Sequence, residues 1–340
     1  MSNQSGNTRL PLIPKHILEL HGANQSGDTR FAACARLLQS LWREGRSFPS
    51  GSKVIENELV EIGNKLSREA AVCGVTFLHS SLIPLLRKEL IYREEGAVYE
   101  EERLWGNLLS SQALCFNLFG FMKLDLNLAN EFFKKLLPDL IENVTEIYFE
   151  HSPGRGDPRF TEDQTAFDVF ICCQMTDGKK GFLAIEMKYT EAVSSGGAYH
   201  PAYDDLSDIF QLFKDGKAPD LRQGRCQQFW REHLLAESAL AELEDYEDYR
   251  FIVIHPAQNR QCVKAITTFN DHLVDPLRFQ AITLETCIDT LRGIEDGLAE
   301  MLHERYLDFS MIDELLEAEL SAPVPIFSTD EVIAKARATA

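Results

Sequence analysis

One stretch constrains the fold more than any other: Gly181-Phe182-Leu183-Ala184-Ile185-Glu186-Met187-Lys188-Tyr189-Thr190-Glu191. A glycine-opened apolar run this short reads as a buried β-strand rather than a helix. Side chains alternate faces along a strand, so Leu183, Ile185 and Met187 share one side and Ala184, Glu186 and Lys188 the other. Glu186 and Lys188 are therefore neighbours at the end of a strand that should otherwise be dry. Moving a carboxylate or an ammonium out of water costs several kcal/mol unless it is paired or bound to metal. A divalent cation beside a nucleophilic water would offset that cost.

A second strand-like run lies upstream, Thr165-Ala166-Phe167-Asp168-Val169-Phe170-Ile171-Cys172-Cys173, with one carboxylate, Asp168. Thr176-Asp177-Gly178-Lys179-Lys180-Gly181 joins the two runs, and its Asp-Gly pair signals a hairpin. Such a hairpin would bring Asp168 near Glu186. Asp168 followed eighteen positions later by Glu186-Met187-Lys188 resembles the active-site motif of the PD-(D/E)XK nuclease superfamily, the restriction-endonuclease-like fold. Phe167 stands where that motif carries its proline.

The order of elements agrees. Leu104–Leu137 reads as apolar helix broken at Gly120 and resumed at Leu128. Val144–Glu150 is a strand, as are the Asp168 and Glu186 runs; Gln223–Ala236 is a helix and Tyr249–His255 a strand. That is αβββαβ. The expected fold is α/β with a mixed α+β sheet: a restriction-endonuclease-like αβββαβ core with helical N-terminal and C-terminal additions. The expected organisation is a helical region over 1–103 packed on the core, the core over 104–290, and a helical tail over 291–340. In the first region Thr29–Arg43 is a helix with Phe31, Cys34, Ala35, Leu38 and Trp42 on one face. Lys53–Ala70 is read as a second helix, and Glu89–Glu102 as a polar helical run. Further stretches, among them Ser110–Gly120 and Gln228–Ala236, resemble signatures of a poorly characterised bacterial branch of the superfamily. The resemblance spans about Phe31 to Cys287.

A formal net charge of −19 argues against a protein that coats nucleic acid without regard to sequence, because that task needs a basic face. It leaves room for a nuclease, whose metal site gathers carboxylates. The 8 cysteines include no C-x-x-C pair and no zinc spacing, and are read as reduced and mostly buried in a cytoplasmic protein. The N-terminus has no apolar signal-like core. The longest apolar stretch, Val72–Leu86, is interrupted by His79, Ser80, Ser81 and Pro84, so no membrane span is expected.

The resemblance implies a metal-dependent nuclease that hydrolyses phosphodiester bonds, of DNA in the first instance. Asp168 and Glu186 would bind Mg²⁺ or Mn²⁺, with the Met187 carbonyl as a third oxygen. Lys188 would position or deprotonate the attacking water and offset developing charge. Glu150, at the end of the preceding strand, is read two ways, as a metal- or water-positioning carboxylate or as a solvated charge. Gln228 is likewise a contact to phosphate or lysine, or a packing residue. The first-helix glutamate common in the superfamily is replaced by Ser111, Gln112 or Asn117. Arg155, Arg159, Arg222, Arg225 and Arg231 are candidate phosphate contacts. His151 and His255 are read as ordinary strand-end or core histidines, Phe229 and Trp230 as core. A homodimer is one expected assembly, since such folds usually cut two strands with two sites. The alternative is an idle nuclease-fold module that binds nucleic acid or protein; the complete Asp/Glu/Lys set speaks for catalysis. A hydrolase of small phosphoesters is a poorer fit, with no glycine-rich phosphate loop in the chain.

Overall fold

The computed structural model describes residues 9–55, 57–191 and 199–321. Its centre is a five-stranded sheet built from β3 (Ile141–His151), β4 (Phe167–Met175), β5 (Lys180–Met187), β6 (Asp248–His255) and β7 (Phe279–Thr283), in that spatial order. β3, β4 and β5 pair antiparallel, whereas β6 and β7 continue parallel to β5. The turn at Asp177-Gly178 is a hairpin with Gly178 at φ 89°, a conformation that glycine adopts without steric cost. β7 is a strand that the sequence reading missed. It is five residues long, too short for a periodic signal, and it pairs only along β6.

β5 is buried from Gly181 to Met187. One face of the sheet carries Phe170, Cys172, Phe182, Ala184, Phe251 and Val253. The helix Gln227–Glu242 covers that face with Phe229, Trp230, Leu234 and Leu235, all fully buried. The helix Ser111–Leu124, capped by the Ser110 hydroxyl accepting from the Ala113 N–H at 3.4 Å, packs on β3, β4 and β5. Gly120 does not break it. A Cβ at Gly120 would meet Leu82 Cδ2 at 2.7 Å, so this glycine permits close approach by the helix Leu82–Ile91. The helix ends instead at Asp125, which caps the next one, Leu126–Leu136.

The N-terminal region departs from expectation. Residues read as a second helix form an antiparallel hairpin, β1 (Ser50–Ile55) and β2 (Glu58–Leu66). Asn57 turns it at φ 67°, and the β-branched residues Val54, Val60 and Ile62 suit extended backbone. The polar run 89–102 is also not one helix: Leu82–Ile91 precedes it, and a short helix starts at Glu101. Two compact units, Met1–Asp308 and Phe309–Ala340, divide the chain. The helix Asp296–Tyr306, expected in the tail, thus belongs to the first unit. The second holds the helix Ser310–Ser321; the rest of the expected tail, 322–340, lies outside the described residues. No helix among the described residues is long and apolar enough to cross a membrane.

Candidate active site

The site forms where the ends of β3, β4 and β5 meet. Val169 pairs with Ile185, and one further step of that register sets Asp168 beside Glu186, on the same face. Asp168 Oδ2 accepts a 2.8 Å hydrogen bond from the Met187 N–H, which ties this carboxylate to the neighbouring strand. Glu186 is 4% exposed and Lys188 8%. The Lys188 ammonium lies 2.6 Å from Glu186 Oε1 and donates to Gln228 Oε1 at 2.7 Å. The Gln228 amide nitrogen donates in turn to Glu186 Oε1 at 2.7 Å and to Glu232 Oε1 at 2.8 Å. Glutamine and glutamate one helical turn apart thus reach down from the covering helix onto the strand end.

Electrostatics follow from this crowding. Burial, and then the charges of Glu186 and Glu150, push the Asp168 carboxyl well above the usual range, against Lys188 and the Met187 N–H. Burial opposes the charged form of Lys188, yet Glu186, Glu232 and Asp168 together raise its pKa. Burial, then Glu186, raises Glu232 well above a normal carboxyl. Glu150 is pushed up to about 7, by burial first and by the charge of Glu186, although its bond to Gln112 works the other way.

Glu150, the next-to-last residue of β3, has φ 49°. It is half-buried and accepts a hydrogen bond from Gln112 of the first core helix, so it is not a freely solvated charge. Asn117 faces elsewhere, bonding Leu78 N, Thr76 O and the Tyr306 hydroxyl. Ser111 donates its backbone N–H to Glu191 Oε1 at 3.3 Å. Glu191 also accepts from Arg103 and from the Tyr189 N–H, fixing the chain just beyond Lys188.

The arginines separate into two groups. Arg155 is committed to the protein, with donors on Glu94, the Glu150 carbonyl, Gly96 O and Gln164 O; its side chain is 8% exposed. Arg222 is paired with Asp204. Arg159 is exposed and pairs with Asp157 at 2.7 Å and Glu242 at 3.5 Å. Arg225 is exposed and Arg231 half-buried, with Arg231 Nε unpartnered. His151 pairs with Glu94; the His255 ring bonds Pro256 O at 2.9 Å.

Among the described residues no set of three His, Cys, Asp or Glu side chains is gathered to hold a metal ion. The donors that fit one are the pair Asp168 and Glu186, hard carboxylate oxygens on adjacent strands. Mutual repulsion there favours a cation, and such a set suits Mg²⁺ or Mn²⁺ rather than a thiophilic metal. Glu232 escaped the sequence reading because a glutamate mid-helix normally faces water. Its position four residues after Gln228 was the one available signal.

A family model described as the PD-(D/E)XK nuclease superfamily matches residues 26–308. No curated protein and no solved structure matches the chain.

Proposed function

This chain belongs to the PD-(D/E)XK nuclease superfamily, and on that premise we propose that it hydrolyses nucleic-acid phosphodiester bonds, DNA first among them, with Mg²⁺ or Mn²⁺ at Asp168 and Glu186. The observation that carries this reading is the buried Glu186–Lys188–Gln228 cluster, with Asp168 tied across the strand to Met187. A bound divalent cation would supply charge for the scissile phosphate and lower the pKa of a coordinated water. Glu150, held by Gln112, flanks the pair as a further acceptor for water. Lys188 orients the attacking water through its ammonium hydrogens and stabilises negative charge as it builds. Gln228 holds Lys188 on the site side of the strand. Arg159, Arg225 and Arg231 are the arginines left to meet phosphates. The eight unbridged cysteines suit a reducing, cytoplasmic setting, and a homodimer would supply two sites for two strands.

The test is incubation of the purified protein with labelled plasmid, linear duplex, single-stranded DNA and RNA, each with Mg²⁺, Mn²⁺ or EDTA. Cleavage with either metal, lost in EDTA and in Glu186→Ala, is the expected result. Equal cleavage by wild type and Glu186→Ala, or none on any substrate, overturns the reading.

A further inference from the structure

A cavity of about 410 Å³ lies at the β3 edge of the sheet, and six of the side chains that line it are the rings of Tyr92, Tyr99, Tyr148, His151, Phe170 and Tyr246. Its size falls within the range of small-molecule pockets, about 300–1,000 Å³. Tyr148 and His151 stack with centroids 5.1 Å apart at 29°, and buried Phe170 meets Tyr246 edge-on at 6.0 Å. Tyr92 is 78% exposed and Tyr148 38%, so the cavity is reached from solvent. The Tyr92 ring packs on no other ring among the described residues. The charged groups of the lining, by contrast, are already partnered: Glu89 with Lys123, Arg93 with Glu101, and Glu94 with both His151 and Arg155. An ionic ligand would find no spare counter-charge here, whereas a flat, uncharged heterocycle would find aromatic faces. Every nucleobase has such a face, and stacking on tyrosine or histidine is tolerant of base identity.

The cavity adjoins the candidate active site. Phe149 and His151, on either side of Glu150 in the chain, both line it. Arg155 ties the two places together, donating to Glu94 Oε2 at 3.1 Å and to the Glu150 carbonyl at 2.9 Å. Phe170 stands two residues after Asp168 on β4, hence on the same face and about 7 Å along the strand. We propose that this cavity seats one unstacked base of the substrate strand, so that the protein acts on nucleic acid that is single-stranded or has a base turned out of its helix. The inference rests on the nucleic-acid reading above and narrows its substrate class. A paired base must leave its stack and its partner before it can enter, which sets intact duplex at a disadvantage.

Binding of short fluorescein-labelled single-stranded DNA, single-stranded RNA and duplex DNA to the full chain, followed by anisotropy in EDTA, tests this apart from cleavage. A single strand should bind at least about tenfold more tightly than the duplex, and homopolymers of different bases should bind alike. Tyr92→Ala and Tyr148→Ala should each weaken single-strand binding by about fivefold or more, as for loss of a ring on which a base stacks. The dependence on salt should stay as in wild type, because no phosphate contact is lost. Tyr92→Phe and Tyr148→Phe keep the ring and should bind within about twofold of wild type. Thermal midpoints of all variants check the fold, and if Tyr148→Ala does not fold, the exposed Tyr92 decides. Duplex bound as tightly as single strand overturns the inference, as do alanine variants that bind like wild type or phenylalanine variants that bind as weakly as alanine. Deoxyadenosine monophosphate bound as tightly as the strand overturns it too, by making the cavity a site for free nucleotides. Wild-type protein that binds none of the three nucleic acids refutes the nucleic-acid reading itself; protein that cleaves nucleic acid, with cleavage and binding unchanged in both alanine variants, refutes the base pocket alone.

Discussion

Asp168 and Met187 are joined across two strands by a 2.8 Å hydrogen bond from the Met187 N–H to Asp168 Oδ2. The bond fixes one carboxylate on the strand that carries Glu186 and Lys188, one residue from each. It also means that Asp168 can lose its charge without losing its place, since an amide oxygen accepts the same bond.

Asp168→Asn should therefore fold, with stability in the absence of metal equal to or above wild type. The like-charge repulsion from Glu186 and Glu150 disappears with the ionised carboxylate. The thermal stabilisation by millimolar Mg²⁺ expected of wild type, which mass action sets at about 2.7 kcal/mol for a hundredfold excess over Kd, should largely vanish. Equal Mg²⁺ shifts in the two proteins would exclude Asp168 as a ligand.

Lys188→Ala and Glu186→Ala should separate chemistry from metal binding. Lys188→Ala should cut turnover by about 10²-fold or more while still binding the cation, as expected on losing a group that acts on water and on transition-state charge. Glu186→Ala should lose both. Stability needs measuring on the same preparations, because removing one partner of a buried pair costs about 3–5 kcal/mol. Cleavage by Lys188→Ala at the wild-type rate removes that residue from the chemistry.

His233 offers a pH test remote from the metal pair. It is fully buried on the covering helix among Phe213, Tyr249, Phe251, Phe269 and Phe279, and neither ring nitrogen has a partner. Burial lowers its pKa from 6.5 to about 3. The unfolded chain then binds one more proton than the folded one between those values, so stability falls as pH drops below about 6.5. By pH 5 the loss is about 2 kcal/mol. His233→Phe should remove that share, and urea titrations of both proteins at pH 7 and pH 5 measure it. An identical pH dependence in the two would show that His233 is not buried as a neutral ring.

Gly63 tests how the N-terminal hairpin is seated. A Cβ there would lie 2.0 Å from the His21 carbonyl oxygen and 2.2 Å from Ser40 Oγ, and Arg43 Nε donates to the Gly63 carbonyl at 2.8 Å. Gly63→Ala should cost about 1–3 kcal/mol through forced overpacking, seen as a lower thermal midpoint. A midpoint unchanged from wild type would mean that the hairpin does not lie against the helix Arg30–Gly45.

Where a dry strand ends in charge, local sequence is enough to read both strand and charge. The alternation that sets Glu186 and Lys188 on one face is a property of extended backbone, and Asp177-Gly178 announces its own turn. These two features were sufficient to anticipate the central hairpin. Lys53–Ala70 was misread because a short stretch with mixed apolar spacing satisfies helix and strand patterns alike; the close approach of Gly63 to Ser40, a long-range fact, decides for the strand. Gly120 was misread for a similar reason, since only the neighbouring Leu82 shows why a helix interior should carry a glycine. Glu232 and Arg155 mark the deeper limit. Their types and spacing describe a solvated helix face and a basic loop, and only the packing of helix on sheet and loop on loop buries one carboxylate behind Gln228 and spends one guanidinium on backbone carbonyls. Burial sets what a charge costs and which partner it takes, and it is a property of elements distant in sequence meeting in space, so tertiary structure alone decides it.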